Sequence, residues 1–473
     1  MQRNYDKTDA ASIFNYSRGL LHHSLAEAVK AINLAIDEKD IVWKGKGGLG
    51  LLVEKLWYGY EPNNSPLPDF PEDGVELKTT PLKRLRDETL AIKERLVCDM
   101  INYTEIVEVP FRESPFYRKS LLMLILFYLH ESGKEKRDLQ FLFSVLWQLK
   151  GKDLMIMEHD YEIIISKIRE GKAHEISEGD TMYLAACRKG ENASSFTSQP
   201  YSEVSAPTRA FSLKAAYMRT ILDFVRNSGS DMATNTGMTI DEMQLVSEKD
   251  LETSSFEEIL SSRILKFKGK DYRQIARHFK MEVSSEEKSR YARVAKRMLL
   301  KGLRNFDDAE EIKKAGIIVK TIRVEANGSI RESMSFENIN YQEVLETENW
   351  IDSRWYEIAT SRFMFVVFRE DSDSKWKDEK RYLLDDVMFW TMPTSDLLEA
   401  ENFWENIRQN VLHDTLQNDN NTFWKQTNRR NFHVRPKAQT SADKHISPVS
   451  GVEVPKKCYW FNSDYVAEII RRK

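Results

Sequence analysis

The sequence predicts an α/β fold arranged as two globular regions. Apolar residues at helical spacing open the chain, and short apolar strands bounded by turn residues follow. After a polar stretch, the same helix-then-strand succession returns. At 473 residues and 41% hydrophobic, with 10 Trp and 23 Phe, the chain has material for two to four domains with sizeable cores.

The elements follow in order. Residues from 5 to 38 read as helix, because Ile13, Leu20, Leu21, Leu25, Ala28, Val29, Ile32 and Ile36 recur at helical spacing. After the turn Lys44–Gly48, Leu49 to Tyr58 reads as an apolar helix carrying one acid, Glu54. Glu61 to Pro68 is a loop, broken by Pro62, Pro66 and Pro68. Gly74 to Thr79 is a strand ended by Pro81, and Leu121 to Leu129 a fully buried strand. Arg226 to Ser255, rich in Ser, Gly, Asn, Thr and Asp, reads as a linker, which divides the chain into 1–225, 226–255 and 256–473. Helices across 256–305, a strand from Gly316 to Val324 and an exposed loop from Gln439 to Ser450 complete the reading.

Several classes of function are excluded. No apolar run approaches the roughly 18 residues of a membrane span, and the first residues lack the apolar core of a signal peptide. Cys98, Cys187 and Cys458 lie far apart without a CxxC pair, which argues against disulfides or structural zinc and fits a cytoplasmic protein. The nine histidines form no HxxxH or HxH pattern, and no GxxxxGKS loop is present, so no nucleotide cofactor is expected. Net charge is −4, yet from Asn421 to Lys473 there are 11 Lys and Arg against 4 Asp and Glu, so this stretch carries +7 and the rest −11. A basic segment on an acidic chain is the footprint of a polyanion surface, although a solvated tail has the same balance.

The most informative segment is Pro68-Asp69-Phe70-Pro71-Glu72-Asp73-Gly74-Val75-Glu76-Leu77-Lys78. An acid in a proline-flanked turn precedes a strand whose alternation sets Glu76 and Lys78 on one face, and Val75 and Leu77 on the other. Hydrolysing a phosphodiester needs an activated water and neutralisation of developing charge. Carboxylates can hold Mg²⁺ for both tasks, while a lysine orients or deprotonates the water. Glu54 can add a third carboxylate. On its own the D-x₆-E-x-K spacing also suits a half-exposed strand with a charged surface face.

A wider string resolves this. Lys46-Gly47-Gly48-Leu49-Gly50, Leu51-Leu52-Val53-Glu54, Asp69-Phe70 and Gly74-Val75-Glu76-Leu77-Lys78-Thr79 resemble the MutH family of DNA endonucleases. So do Glu170 to Gly179, Tyr183-Leu184, Lys189, Asn192-Ala193 and Arg209 to Lys214. The resemblance spans residues 40–222 and is strongest to the long, Sau-type restriction enzymes. It implies the PD-(D/E)xK restriction-endonuclease-like fold, Mg²⁺, double-stranded DNA as substrate and cutting at GATC. It also implies Glu54, Asp69 and Glu76 as acidic and metal-binding residues, and Lys78 as catalytic lysine. Lys46, Lys119, Arg188, Lys189 and Lys214 are the DNA contacts it suggests. Lys189 matches the family's Arg-Pro-Lys segment, whereas Arg188 is displaced by one position and the proline is missing.

The second half reads as a degenerate copy. Gly316-Ile317-Ile318-Val319-Lys320-Thr321 parallels Gly74 to Thr79, with Glu311 at the Asp69 position and Ile318 in place of Glu76. Val434-Arg435-Pro436-Lys437 supplies an Arg-Pro-Lys pattern, and Tyr459 to Tyr465 parallels Phe211 to Tyr217. The expectation is a catalytic N-terminal domain and a non-catalytic C-terminal domain that binds DNA through Arg435 and Lys437 as an allosteric or dimerising module, in a monomer that pairs on DNA. A mismatch-repair-type nicking enzyme and a catalytically silent DNA-binding protein are the alternatives.

Overall fold

The computed structural model describes residues 3–32, 48–63, 65–85, 88–189, 195–236, 245–300, 309–376, 379–417, 422–436 and 443–472. The chain divides into two units. Unit 1 comprises Met1–Thr253 with Asp307–Gly316, and unit 2 comprises Ser254–Phe306 with Ile317–Lys473.

The strands of unit 1 are β1 (Val75–Arg84), β2 (Leu90–Ile92), β3 (Leu96–Met100), β4 (Leu122–Leu129), β5 (Phe141–Gln148), β6 (Leu184–Arg188), β7 (Phe196–Gln199), β8 (Ser202–Pro207), β9 (Arg209–Leu213) and β10 (Met232–Thr234). Among the described residues they form a mixed sheet β10-β5-β4-β1-β2, a three-stranded sheet β3-β9-β6 and the hairpin β7-β8. β1 runs parallel to β4 and β4 antiparallel to β5. One face of the large sheet is covered by N-terminal helices. Val75, Leu77, Leu124, Leu126 and Phe141 pack with Ile13, Leu25, Val29, Leu52, Val53 and Leu56. On the other face, Trp147 of β5 meets Tyr217 and Phe224 of the helix Ala215–Asn227. β4 is almost wholly buried, as its apolar run demands of a strand covered on both faces.

Four expectations are corrected here. The described part of the 5–38 helix divides into Ala10–Tyr16, the 3₁₀ turn Ser17–Leu20 and Leu25–Ala31, and residues 33–38 lie outside the described residues. Ser24 and Glu27 form a capping box that starts the second helix afresh, and His22 before it adopts φ 65°. Helical spacing alone did not reveal that break. β1 continues through Pro81 to Arg84. The Pro81 carbonyl accepts from Lys93 N at 3.1 Å, so the missing N–H also faces that side and no β1–β4 bond is lost. The described parts of the polar 226–255 stretch are no free linker: they supply β10, the Asn235 side chain bonded to Gln148 N at 2.6 Å, and buried Leu245 and Val246. Finally, Glu311 belongs to unit 1. It is buried on the helix Glu310–Ala315, accepts from Leu245 N at 3.1 Å and pairs with Lys152 at 2.9 Å, so it is a structural acid and no counterpart of Asp69.

Unit 2 opens with helices Phe256–Leu265, Tyr272–His278 and Arg290–Leu299. Its strands are β11 (Ile318–Val324), β12 (Met334–Asn338), β13 (Phe363–Trp376), β14 (Glu379–Trp390), β15 (Phe432–Pro436), β16 (Lys444–Ile446), β17 (Glu453–Pro455) and β18 (Lys457–Phe461). β16 lies within the stretch read as an exposed loop, where it gains its hydrogen bonds by pairing with β17. β11 is parallel to β13, β13 antiparallel to β14, and β12-β18-β15 form a second sheet. Element by element, this is the order of β1, β4, β5 and of β3-β9-β6 in unit 1. The helix after β18, Ser463–Arg471, begins at Asn462, just as the helix after β9 begins at Lys214. Trp355, Phe363, Phe403, Phe432 and Phe461 anchor this unit's core.

Candidate active site

The site of unit 1 is assembled from four neighbouring pieces of chain. The helix Gly48–Leu52 loosens into a π-helical turn, Val53–Tyr58, in which Gly59 N donates to Glu54 O at 2.7 Å. Such turns mark places where one residue is accommodated at the expense of helical regularity, frequently at functional sites. Gly59, at φ 80°, ends it in the left-handed region that glycine adopts without strain. Arg3 and Tyr5 secure the end of this turn. The Arg3 guanidinium donates to the carbonyls of Trp57 (2.9 Å), Leu56 (3.2 Å) and Lys55 (3.4 Å), and the Tyr5 hydroxyl to that of Tyr58 (2.8 Å).

Asp69 stands at the mouth of β1. Phe70 and Val75 exchange backbone hydrogen bonds at 2.9 and 3.1 Å, closing a turn through Gly74 at φ 69°. Phe70 is buried and meets Tyr58 and Tyr60 edge-on, each at 5.3 Å between centroids. Asp69 is thereby tied to the Glu54 turn. Its own N–H donates to Glu76 Oε2 at 3.2 Å, and its Oδ2 accepts from Leu77 N at 2.9 Å. Glu76 is 3% exposed and lies between the two. Lys78 Nζ donates to Glu76 Oε1 at 2.7 Å and to the Cys98 carbonyl at 3.2 Å.

The electrostatics follow from crowding. Burial, then Asp69 and Glu76, push the Glu54 carboxyl up to about 8. Burial and Glu76 raise Asp69 to about 6, against the Leu77 N–H, Lys78 and Lys119. Burial works against the Lys78 charge, but the attraction of Glu76 and its hydrogen bond outweigh it, so the ammonium is held above its ordinary value. The three carboxylates are oxygen donors that repel one another in a half-buried setting. A hard dication relieves that arrangement, so the residues fit Mg²⁺. They are not drawn together as a finished ligand set: Lys78 takes Glu76 Oε1, and among the described residues no three His, Cys, Asp or Glu side chains stand at ligating spacing.

Of the other expected residues, Lys119 is brought to the centre, close enough for its charge to act on Glu54, Asp69 and Asp99. Arg188 is exposed at the end of β6 with its guanidinium over Phe196, and Lys189 follows it with its N–H bonded to Thr208 O. Lys214 precedes the helix Ala215–Asn227. Its ammonium donates to the Thr181 carbonyl, and its charge acts on Asp160. Lys46 and Lys437 lie outside the described residues. Arg435, in unit 2, is exposed and stacked over Trp460 at 4.2 Å. His174 Nδ1 lies 3.0 Å from Gln199 Nε2.

Sequence reasoning missed Asp99 and the Cys98 carbonyl. Asp99 is raised by burial and by Glu76, against Lys119 and Lys78, which places it among the charged groups of the centre. The register between β3 and β9 shifts between Val97 and Asp99, a bulge of the kind that re-aims a side chain. The available signal was an acid within the alternating Leu96-Val97-Cys98-Asp99-Met100.

Comparison with known proteins bears directly on this site. A family profile described as "DNA mismatch repair enzyme MutH" matches residues 58–160, which contain Asp69, Glu76, Lys78, Asp99 and Lys119. The type II restriction enzyme Sau3AI of Staphylococcus aureus is 30% identical over 493 aligned positions, covering 94% of this chain and 96% of that protein. The chain belongs to the MutH/Sau-type family of DNA endonucleases. The likeness to a MutH/Sau-type enzyme therefore covers both units, while the profile match is confined to unit 1. Among the described residues no helix is long and apolar enough to cross a membrane.

Proposed function

We propose that this chain is a type II restriction endonuclease that hydrolyses phosphodiester bonds of double-stranded DNA at GATC, using Mg²⁺. The observation that carries the proposal is the linkage of Asp69, Glu76 and Lys78 through bonds of 2.7–3.2 Å, with Glu54 coupled to them. GATC rests on the family resemblance alone.

In this reading Asp69 and Glu76 hold the cation and Glu54 completes the carboxylate set. When bound, the cation lowers the pKa of a water and neutralises charge on the phosphate. Lys78 sits one hydrogen bond from Glu76, where its ammonium can orient the attacking water and stabilise the transition state. Lys119 supplies a positive charge for the scissile phosphate, and Arg188 and Lys189 extend from β6 toward the duplex. One such centre cuts one strand, so a double-strand break needs two chains pairing on DNA or two successive nicks.

Unit 2 we read as a degenerate copy that binds DNA without cutting it. The matched order of its strands supports this, as does the correspondence of Lys320 with Lys78. Lys320 donates to the Ser335 carbonyl of β12 at 2.6 Å, as Lys78 does to Cys98 of β3. Ile318 stands where Glu76 stands, and an isoleucine ligates no metal. Arg435 is its candidate DNA contact.

The test is digestion of unmethylated plasmid in Mg²⁺, with EDTA and Glu76→Ala as controls. Discrete fragments ending at GATC are expected. Nicked circles alone favour a mismatch-repair-type nicking role, which the profile match on residues 58–160 keeps in view. Binding without cleavage by wild type and variant alike refutes the enzyme.

A further inference from the structure

Unit 2 contains a cavity of about 340 Å³ between β11 and β12, lined among others by Lys320, Arg323, Arg331, Ser333 and Ser335. It occupies the place that the Glu76–Lys78 face holds in unit 1, at the strand whose lysine bonds to the neighbouring sheet. The acids that share the lining are already neutralised. Glu332 pairs with Arg323 at 2.9 Å, while Glu325 is held by Lys380 and by the Tyr382 hydroxyl. Lys320 lies 4.6 Å over the Phe336 ring, so its position is set by both a carbonyl and an aromatic face. The rim leads straight to Arg435: Ser333 Oγ accepts from Gln426 Nε2 at 3.3 Å, and Gln426 Oε1 lies 3.5 Å from Arg435 Nη1.

We propose that this cavity is a metal-independent site for a DNA backbone phosphate, with Lys320 and Arg331 as its cationic ligands. In unit 1 the carboxylate face repels a phosphate until a cation intervenes. In unit 2 Ile318 stands in place of that carboxylate, and Lys320, Arg323 and Arg331 share the lining that a phosphate would meet. The volume lies at the lower end of small-ligand sites, roughly 300–1,000 Å³, enough for a sugar-phosphate unit. A duplex seated there passes the Ser333–Gln426 bridge and reaches the guanidinium that Trp460 holds in place. This inference rests on reading unit 2 as a DNA-binding copy.

The test uses the full chain in EDTA, titrated with a short labelled GATC duplex, with stoichiometry from sedimentation. Wild type should bind a second duplex whose affinity is the same, within about twofold, in EDTA and in Ca²⁺. Arg331→Ala and Lys320→Met should each weaken that duplex about tenfold at low salt and lower the slope of log K against log salt by about one. Arg331 is exposed, so its variant folds whatever Lys320→Met does. Two duplexes bound, lost with Arg435→Ala but unaffected by both cavity variants, overturn the phosphate site and leave the DNA-binding reading standing. Second-duplex affinity that rises tenfold or more in Ca²⁺ overturns its metal independence. A single duplex bound, indifferent to Arg435→Ala, removes the reading of unit 2 and the inference with it.

Discussion

Replacing Lys78 by Met separates a catalytic lysine from a surface one. The Lys78 side chain is 17% exposed and that of Glu76 4%, with 2.7 Å between Nζ and Oε1. The substitution removes a charge-assisted hydrogen bond and leaves a buried carboxylate whose remaining bond comes from the Asp69 N–H. Breaking a buried pair from one side costs about 3–5 kcal/mol. The lower figure applies here because the pair opens to solvent on the lysine side. For a unit of this size, about 3 kcal/mol lowers Tm by roughly 6–12 °C, whereas an exposed pair worth about 0.5 kcal/mol lowers it by roughly 2 °C at most. Mg²⁺ at a hundredfold excess over its Kd adds about 2.7 kcal/mol to each form that binds it, so wild type and variant should both melt higher in Mg²⁺ and keep the gap between them. Cleavage should still fall by about 10²–10⁴, the range expected when a positioned proton-transfer group is removed, with DNA binding retained. The assays are thermal melting in EDTA and in Mg²⁺, and plasmid cleavage at saturating Mg²⁺. A variant that cuts within tenfold of wild type, or melts unchanged in EDTA, refutes the reasoning.

Glu54→Gln removes one of three repelling carboxylates. It should stabilise the metal-free protein by about 1 kcal/mol while raising the Mg²⁺ needed for half-maximal cleavage; a loss of stability in EDTA contradicts the crowding. Asp160 is 1% exposed and accepts from Met182, Tyr183 and Leu184 N–H at 2.7, 2.7 and 2.9 Å. Asp160→Ala strands those donors and should cost about 3–5 kcal/mol in denaturant unfolding; a change under about 1 kcal/mol shows the donors find water instead. His433 is buried, and burial with Arg435 nearby lowers it to about 4. The unfolded chain takes up a proton below about 6.5 that the folded chain refuses until about 4. Stability contributed by neutral His433 is therefore present above pH 6.5 and lost as pH falls toward 4, about 2 kcal/mol after solvent screening. The unfolding free energy of wild type should fall by that amount relative to His433→Phe between pH 7 and 4, and parallel curves refute it.

Legibility in the sequence depended on how local each feature was. The alternation of Val75, Glu76, Leu77 and Lys78 specified a face, and the strand presents it, because period-two geometry is a property of neighbouring residues. Ile318 and Lys320 were readable for the same reason. Asp99 was not, because its place beside Lys78 and Lys119 depends on β3 crossing to β9, far along the chain, and on a bulge with no clear sequence signal. The motif named Lys214 but not the Thr181 carbonyl that its ammonium bonds, because that partner lies some thirty residues away. Glu311 fell at the right spacing for an acid in a turn. The backbone N–H groups of Leu245 and Val246, more than sixty residues earlier, claim it instead. The polar composition of 226–255 suggested a tether, yet a few apolar side chains and Asn235 suffice to fold parts of it into unit 1.

The clasp made by Arg3 and Tyr5 gives the candidate centre an outlying guard. The carbonyls of Lys55, Leu56, Trp57 and Tyr58 end the turn that carries Glu54, and they find donors in two side chains some fifty residues earlier. Arg3→Ala with Tyr5→Phe strips those donors away and leaves the end of the turn to fray, although every acid and lysine of the centre survives intact. Damage to that clasp would thus register as weakened cation binding at the heart of unit 1, so two side chains that hold no metal become a lever on the soundness of the site.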